Sequence, residues 1–293
     1  MKLDAGSPGE PAARQKAARQ PADDDTRGRQ FVVALARGLD VLRAFSLGDG
    51  LLGNQEIAAR TGLPKPTISR LTHTLTKLGY LTYSERLGKY ELGTGVLALG
   101  YAALRSIGVG RVARPFMQAL ADYSSASVSL GSRDRLEMVY IEHCRSNATV
   151  SLRLETGSRI PLGTTAMGRA LLAALPNCER EALMERLHAA HGNDWPRVEA
   201  GIAQAIADYR THGYTLSIGD WKRDVHAVAV PLVPPDRSRI LAINCGGPSF
   251  LFDRDRLVAD LGPRLVKLVH NIEAALMNVE PRPDQRSTKT PRR

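Results

Sequence analysis

The chain has 293 residues, 43% hydrophobic and 24% charged, which is enough apolar material for one large or two ordinary cores and too much for a disordered chain. No apolar run approaches the ~18–20 residues of a membrane span, no signal-type stretch opens the sequence, and Cys144, Cys178 and Cys245 are too few and too scattered for a disulfide scaffold or a zinc ribbon, so a cytoplasmic protein with no membrane partner is expected. The formal charge of +10 is uneven: net zero over residues 1–28, +4 over 29–94, +2 over 95–280 and +4 over 281–293. A small cationic segment beside a near-neutral body suits a polyanionic partner, although basic surface also serves plain solubility.

Residues 1–28 are rich in Ala, Pro, Arg, Gln and Asp without periodicity and are expected to form a disordered leader. Val32, Leu35, Leu39, Leu42 and Phe45 recur every three or four residues, predicting a helix with one buried face. The run Ser46–Gly50 breaks it. Asn54 reads as the N-cap of a short helix ending at Thr61, with Ile57 and Ala58 inward and Gly62 as a left-handed C-cap. A second helix is predicted from about Pro66 to Leu78, with Ile68, Leu71, Leu75 and Leu78 on its apolar face and Gly79 as its stop. Two helices around a tight glycine turn make a helix-turn-helix. Tyr80–Tyr83 and Lys89–Leu92 then alternate as strands around the basic tip Arg86-Leu87-Gly88, the winged variant of the motif.

A helix that enters a DNA groove presents polar side chains at its N-terminal end and outer face. Off the apolar face stand Lys65, Thr67, Ser69, Arg70, His73, Thr74 and Lys77, none of them acidic. Thr67, Ser69 and Arg70 are assigned to groove contact, and Lys65, His73, Arg86 and Lys89 mainly to phosphates of double-stranded DNA. The competing reading is a two-helix corner with an ordinary solvated face. After residues 29–93, Val96, Leu97, Leu99, Tyr101, Leu104 and Ile107 make a helix apolar on more than one side, read as a connector (94–109) and dimer element; a core helix of the second domain is the other reading.

The body, residues 110–280, mixes both element types. Strands are predicted at Val128–Leu130 and Leu136–Glu142 around the turn Gly131–Asp134, and again at Thr149–Leu154. Further strands are expected at Val225–Leu232 and Ile240–Asn244, around the turn Pro234–Arg237. Helices are expected at Ala166–Leu175, Glu179–Leu187, Arg197–Tyr209 and Asp253–Met277, before a basic disordered tail at 281–293. The class is α+β. Catalytic and cofactor signatures are missing: no HExxH, GxSxG, P-loop or strand-borne GxGxxG. Glu142, His143 and Cys144 are adjacent, but neighbouring strand residues face opposite ways, so a structural role is expected for them. Cys245 is read as a buried small apolar residue, with a redox or zinc thiol as the weaker alternative. No metal and no cofactor are expected.

Several strings together resemble the IclR family of bacterial transcriptional regulators, from about Arg29 to Val279. They are Gln55–Ala58, Gly62–Thr67, Leu78–Leu81 and Tyr90–Gly93 in the first part, then Gly157–Leu162, Thr165–Ala173 and Asn244–Pro248. The resemblance implies a winged helix-turn-helix joined by a linker helix to a GAF-like α/β effector-binding domain, in dimers that often pair into tetramers. It also implies a small organic or aromatic acid as effector, held between the sheet and the segment 162–168. Carried over by position, Ala166 and Met167 supply backbone donors to a carboxylate, Val225 and Ala227 an apolar wall, and Asn244 and Gly246 a polar wall. Helix-start N–H groups and the helix dipole favour an anion there on physical grounds alone. Gly163 replaces a usual His and Gly246 a frequent hydroxyl residue, which implies a larger ligand or one read mainly by backbone and Asn244.

Beyond the resemblance, Arg153 offers bidentate carboxylate recognition and Trp221 a flat wall, with Asp220 and His226 nearby; a surface Arg and a core Trp are the plain alternatives. The function expected is operator binding controlled by a bound acid, in a homodimer or tetramer and next to a catabolic operon. An enzyme and a ligand-independent architectural DNA-binding protein are the competing classes. Turnover of a ligand would mark the first, and no ligand at all the second.

Overall fold

The computed structural model describes residues 31–46, 48–146, 154–234 and 239–277, with the backbone alone at 105–107. Helices α1 (Val33–Arg43), α2 (Asn54–Thr61) and α3 (Lys65–Lys77) precede the hairpin β1 (Leu81–Ser84) and β2 (Lys89–Leu92). Their small core is Val41, Ala44, Leu52, Ile57, Ile68 and Leu81, with Leu71 and Leu75 packed on it. Leu52 pairs with Tyr90 through two backbone hydrogen bonds of 2.8 and 2.9 Å, adding a third short rung to the wing.

Local chemistry explains the corner. Gly62 sits at φ 70° and returns its N–H to Ala58 O, as a left-handed C-cap must. Gly79, at φ 77°, and Tyr80 donate to Thr76 O and Leu75 O, closing α3 with a Schellman turn. Asn54 is the first residue of α2 rather than its cap. The cap position is Gly53, whose N–H donates to Glu56 Oε2 at 2.7 Å. Arg60 clamps the preceding loop, bonding Ala44 O at 2.7 Å and pairing with Asp49.

Two apolar expectations fail here. Leu78 is 63% exposed, because α3 ends one residue before it and the closing turn rotates it outward. Val32, just before α1, and Leu35 and Leu39 on it are exposed, and only Val41 is buried within the helix, since the module's core reaches just its C-terminal turn. Helix α4 (Thr94–Ile107) likewise leaves Leu97, Leu99, Tyr101 and Leu104 exposed.

The remaining elements are α5 (Val109–Ser124), β3 (Ser127–Asp134), β4 (Glu137–Arg145), β5 (Arg159–Pro161), α6 (Ala166–Ala174), α7 (Asn177–His191), α8 (Trp195–His212), β6 (Thr215–Ile218), β7 (Val225–Leu232), β8 (Leu241–Pro248), α9 (Arg254–Arg256) and α10 (Gly262–Met277). The strands form one sheet in the order β5-β4-β3-β8-β7-β6, antiparallel throughout. Its two faces differ in side-chain size. Val228, Val230, Ile243 and Cys245 pack against α5 and α10. Ala227, Ala229 and Ala242, which alternate with them along β7 and β8, face α6, so that helix can approach closely.

The β3–β4 connection is tighter than expected. Gly131–Asp134 is strand, and the turn is Arg135-Leu136, with Arg135 at φ 58°. Helix α5 and strand β6 were not anticipated. The last predicted helix is split, because Leu257–Leu261 forms a wide π-type turn between α9 and α10. Of Thr149–Leu154, residues 149–153 lie outside the described residues and Leu154 is not in a strand. Among the described residues no single helix is long and apolar enough to cross a membrane.

Candidate functional site

The first candidate surface is the outer face of α3 with the tip of the wing. Lys65, Ser69, Arg70, His73, Thr74 and Lys77 are all exposed, and Thr67 is half-buried. Ile68 and Thr72 face inward, which keeps this cationic, hydroxyl-bearing face in one orientation. Thr72, overlooked in the sequence, is fully buried; it donates to Ile68 O at 2.9 Å and lies 3.4 Å from Asn54 Oδ1. The same Asn54 donates to Ser69 Oγ at 3.3 Å, so α2 positions a hydroxyl on the outer face of α3. Arg86 is exposed at the wing tip. Lys89 instead lies 3.1 Å from Glu56 Oε2. The Gly53 N–H, and then Lys89, hold the Glu56 carboxyl below its usual range.

The second candidate is a cleft between the small-residue face of the body sheet and the start of α6. Its enclosed space is about 30 Å³, and it opens to solvent at its mouth. Strand register builds its floor. Ser127, Gly246, Ala227 and Ser217 pair in succession across β3, β8, β7 and β6. One pair further along, His143, Ser129, Asn244, Ala229 and Thr215 form a parallel row across five strands. At the β6 end, Thr215 Oγ1 donates to Ala166 O at 2.8 Å and Ser217 Oγ to Thr164 O at 2.9 Å, which fixes the loop and first turn of α6 over that edge. Thr165 caps the helix, accepting from the Gly168 N–H at 3.2 Å.

The structure sorts the expected lining. Ala166, Val225, Ala227, Asn244, Gly246 and Trp221 all line the cleft. The Met167 side chain is not part of the lining, being fully buried and packed where a Cβ on Gly131 would stand, and this leaves its expected role as a backbone donor untouched. His226 faces the opposite side of β7, where its Nδ1 bonds Phe252 O at 2.7 Å. Arg153 lies outside the described residues. Asp220 is turned to Arg169, whose Nη1 approaches it at 2.7 Å while also bonding Leu216 O, with Nε on Gly163 O. That guanidinium is only 4% exposed and occupies the space left by Gly201, whose added Cβ would lie 2.2 Å from Nη2. Gly163 does not enlarge the cleft either, since Val198 Cγ1, His191 and Leu187 fill the position of its missing side chain.

Several lining residues escaped the sequence, among them Ser129, Tyr140 and His143. A register shift between Leu130 and Gly131 inserts one extra residue in β4. Tyr140 and His143, three apart, therefore share the cleft face, where unbroken alternation would separate them. Their rings stack at 6.0 Å between centroids. His143 Nδ1 lies 2.9 Å from Ser129 Oγ, and Asn244 Nδ2 donates to Tyr140 OH at 3.4 Å. Burial, and then Arg145, push the His143 imidazole below its usual value, and burial pushes the Tyr140 phenol up. Cys245 points into the other core, and burial raises its thiol to about 11. Among the described residues no cluster of His, Cys, Asp and Glu could hold a metal ion.

A cationic helix and wing on one module, with an α/β sheet domain behind it, define a winged helix-turn-helix transcriptional regulator. Known proteins agree. Residues 34–85 match the IclR helix-turn-helix domain, and 101–274 match the bacterial transcriptional regulator IclR C-terminal domain. The HTH-type transcriptional regulator TsaQ1/TsaQ2 of Comamonas testosteroni is 39% identical over 256 residues, covering 87% of this chain and 92% of that one. The crystal structure of an IclR family transcriptional regulator from Brucella abortus superposes with a TM-score of 0.77 at 49% identity, covering 87% and 96%. An IclR homolog from Microbacterium hydrocarbonoxydans, complexed with 4-hydroxybenzoate, shares the fold at 22% identity and a TM-score of 0.67, covering 84% and 100%. The chain belongs to the IclR family of bacterial transcriptional regulators; it is a DNA-binding regulator and not an enzyme.

Proposed function

We propose that this regulator binds its operator through Lys65, Thr67, Ser69, Arg70, His73 and Arg86, and that a small organic or aromatic acid in the body cleft controls that binding. The observation that carries the DNA assignment is the α3 face itself: exposed cations and hydroxyls, no acidic residue, and an inward face anchored by Ile68 and Thr72. Lys89 joins the set only where a phosphate competes with Glu56 for its ammonium.

The acid assignment is supported by the capped N-terminus of α6 over the cleft, where backbone N–H groups and the helix dipole favour a carboxylate. Ala166 stands at that start, Trp221 and Val225 are apolar walls, and Ala227 and Gly246 leave a flat floor. The 4-hydroxybenzoate held by the Microbacterium relative is an acid of this class. The units are a DNA-binding module at 29–93, a linker at 94–109 and an effector domain at 110–280. The exposed apolar stripes of α1 and α4 are assigned to a homodimer, and a tetramer would pair two of these. Two recognition helices in a symmetric dimer read half-sites ~34 Å apart or multiples of it. The acid alters that spacing through the linker, and the target is a catabolic operon beside the gene.

The test is fluorescence anisotropy on the protein's own promoter fragment, with and without a panel of carboxylic acids. Salt-sensitive binding that an acid shifts is expected. Failure to bind the fragment in dilute buffer overturns the operator assignment, and binding indifferent to every acid overturns the effector assignment.

A further inference from the structure

A hydroxyl has one proton to give and two lone pairs with which to accept, so what a helix does with that proton decides what the side chain offers outward. On α3, Thr72, Thr74 and Thr76 each donate to the carbonyl four residues back: Ile68 O at 2.9 Å, Arg70 O at 2.9 Å and Thr72 O at 2.8 Å. Their protons are spent on the helix, and the exposed Thr74 has only lone pairs left to present. Ser69 differs. Among the described residues the partner of its Oγ is the Asn54 amide nitrogen, from which it accepts at 3.3 Å, and its own proton goes to no protein group.

Asn54 is held from the other side. It is the first residue of α2 and half-buried, and its Oδ1 lies 3.4 Å from the hydroxyl of the fully buried Thr72. That contact leaves Nδ2 as the amide atom facing Ser69, and Nδ2 can only donate. One lone pair of Ser69 is therefore taken from the α2 side, and its proton is left for the exposed side of α3. In the major groove the acceptors are purine N7, guanine O6 and thymine O4, and the donors are adenine N6 and cytosine N4. A hydroxyl with a free proton suits the first group. One that has given its proton away suits only the second.

We infer that Asn54 is a positioning residue for sequence reading: by donating to Ser69 Oγ it makes the Ser69 hydroxyl an outward donor, and Ser69 then reads an acceptor atom on a base edge. This rests on the proposal that the outer face of α3 enters a groove of the operator. Asn54 acts through Ser69 alone, so its influence is confined to the base that Ser69 meets in each half-site. Arg70 and Lys65, which carry their protons permanently, are indifferent to it.

Anisotropy titration of the full-length protein on its own promoter fragment tests this, with bases inside the footprint replaced singly by analogues that lack one acceptor: 7-deazapurines, 2-aminopurine for guanine and 5-methyl-2-pyrimidinone for thymine. At one position in each half-site the wild-type protein should lose about 3- to 10-fold on removal of the acceptor, and Ser69→Ala should show no further loss there. Asn54→Ala should bring the ratio of natural to analogue affinity at that same position within about twofold, and the double variant should add nothing. In Asn54→Asp the carboxylate takes the Ser69 proton, so the ratio should vanish there although the new charge weakens every fragment alike. Melting curves check that each variant is folded, and ratios within a variant are unaffected by a general loss of affinity. A wild-type ratio retained in Asn54→Ala overturns the positioning role. Sensitivity of Ser69 to removal of adenine N6 or cytosine N4 instead overturns the donor polarity, and a uniform loss across all fragments in Ser69→Ala overturns base reading in favour of a phosphate contact. No binding of the natural fragment by the wild-type protein overturns the operator reading and this inference together.

Discussion

The DNA-binding module and the body carry their chemistry in opposite places. In the module the residues proposed to touch DNA are outside: Arg70, Lys65 and Arg86 are exposed around a core of six buried apolar residues. In the body the residues proposed to meet a ligand are inside. Asn244 and Tyr140 are buried on a sheet face, and the buried Arg169 holds Asp220 and two carbonyls together beneath the loop that starts α6. An outward site tolerates changes in its scaffold provided one helix face keeps its direction. An inward site depends on strand register, on which side chains are already bonded, and on where a helix begins.

Substitutions should therefore separate the two regions cleanly. Arg70→Ala combined with Lys65→Ala should weaken operator binding by roughly 100-fold or about 3 kcal/mol, and flatten its salt dependence, with the thermal shift caused by an acid unchanged. Anisotropy across a salt series, beside a melting assay, reads both; a matching loss of ligand response would mean that the regions are not separable. In the other direction, Arg169→Met leaves Asp220 and two carbonyls without their cation and should cost about 2–3 kcal/mol of body stability. Urea unfolding followed by Trp emission checks this, and an unaltered midpoint would deny the buried network its structural role.

A smaller effect comes from pH. Burial lowers the imidazoles of both His143 and His191 from the ordinary 6.5. Below 6.5 the unfolded chain binds protons that the native rings refuse, so their contribution is complete above that value and is lost as pH falls through the lowered native values. The melting temperature of the body should drop between pH 7 and 5, and His143→Gln with His191→Gln should shallow the drop. An identical slope in the double variant would contradict the burial argument. The mildest expectation concerns thiols. Cys178 is exposed, while Cys144 and Cys245 are buried with raised values, Cys245 to about 11. Iodoacetamide at pH 8 should label one site on the folded protein, identified by peptide mass spectrometry, and early labelling of Cys245 would place it outside the core.

Legibility followed the same division. Gly62, Ile57, Ile68 and the strands around Arg86 were readable because turn chemistry and helical spacing act over a few residues. Leu35, Leu39 and Leu78 were misjudged as core, since periodicity shows that residues share a face but not whether a neighbour covers it. In the body, β7 and the start of α6 stand out in the sequence, yet His226 is expected in the cleft and lies on the other face, while His143, expected only in a structural role, lines it. His226 alternates with Val225 and Ala227, so its absence was legible and overlooked. His143 was not legible, because the inserted residue in β4 leaves no local mark.

The order of residues by itself determined the helix-turn-helix, the wing, the cationic outer face of α3 and the mixed class of the body, because each arises from contacts a few positions apart or from charge carried on one short segment. Tertiary structure alone decided which polar atoms meet in the cleft: Asn244 and His143 are 101 positions apart, and they share a row only because β3 pairs with both β4 and β8 in one register. It also decided that Gly163 opens no space, because Val198 and His191 arrive there from α8 and α7. Long-range pairing and close packing join parts of the chain that no local pattern connects.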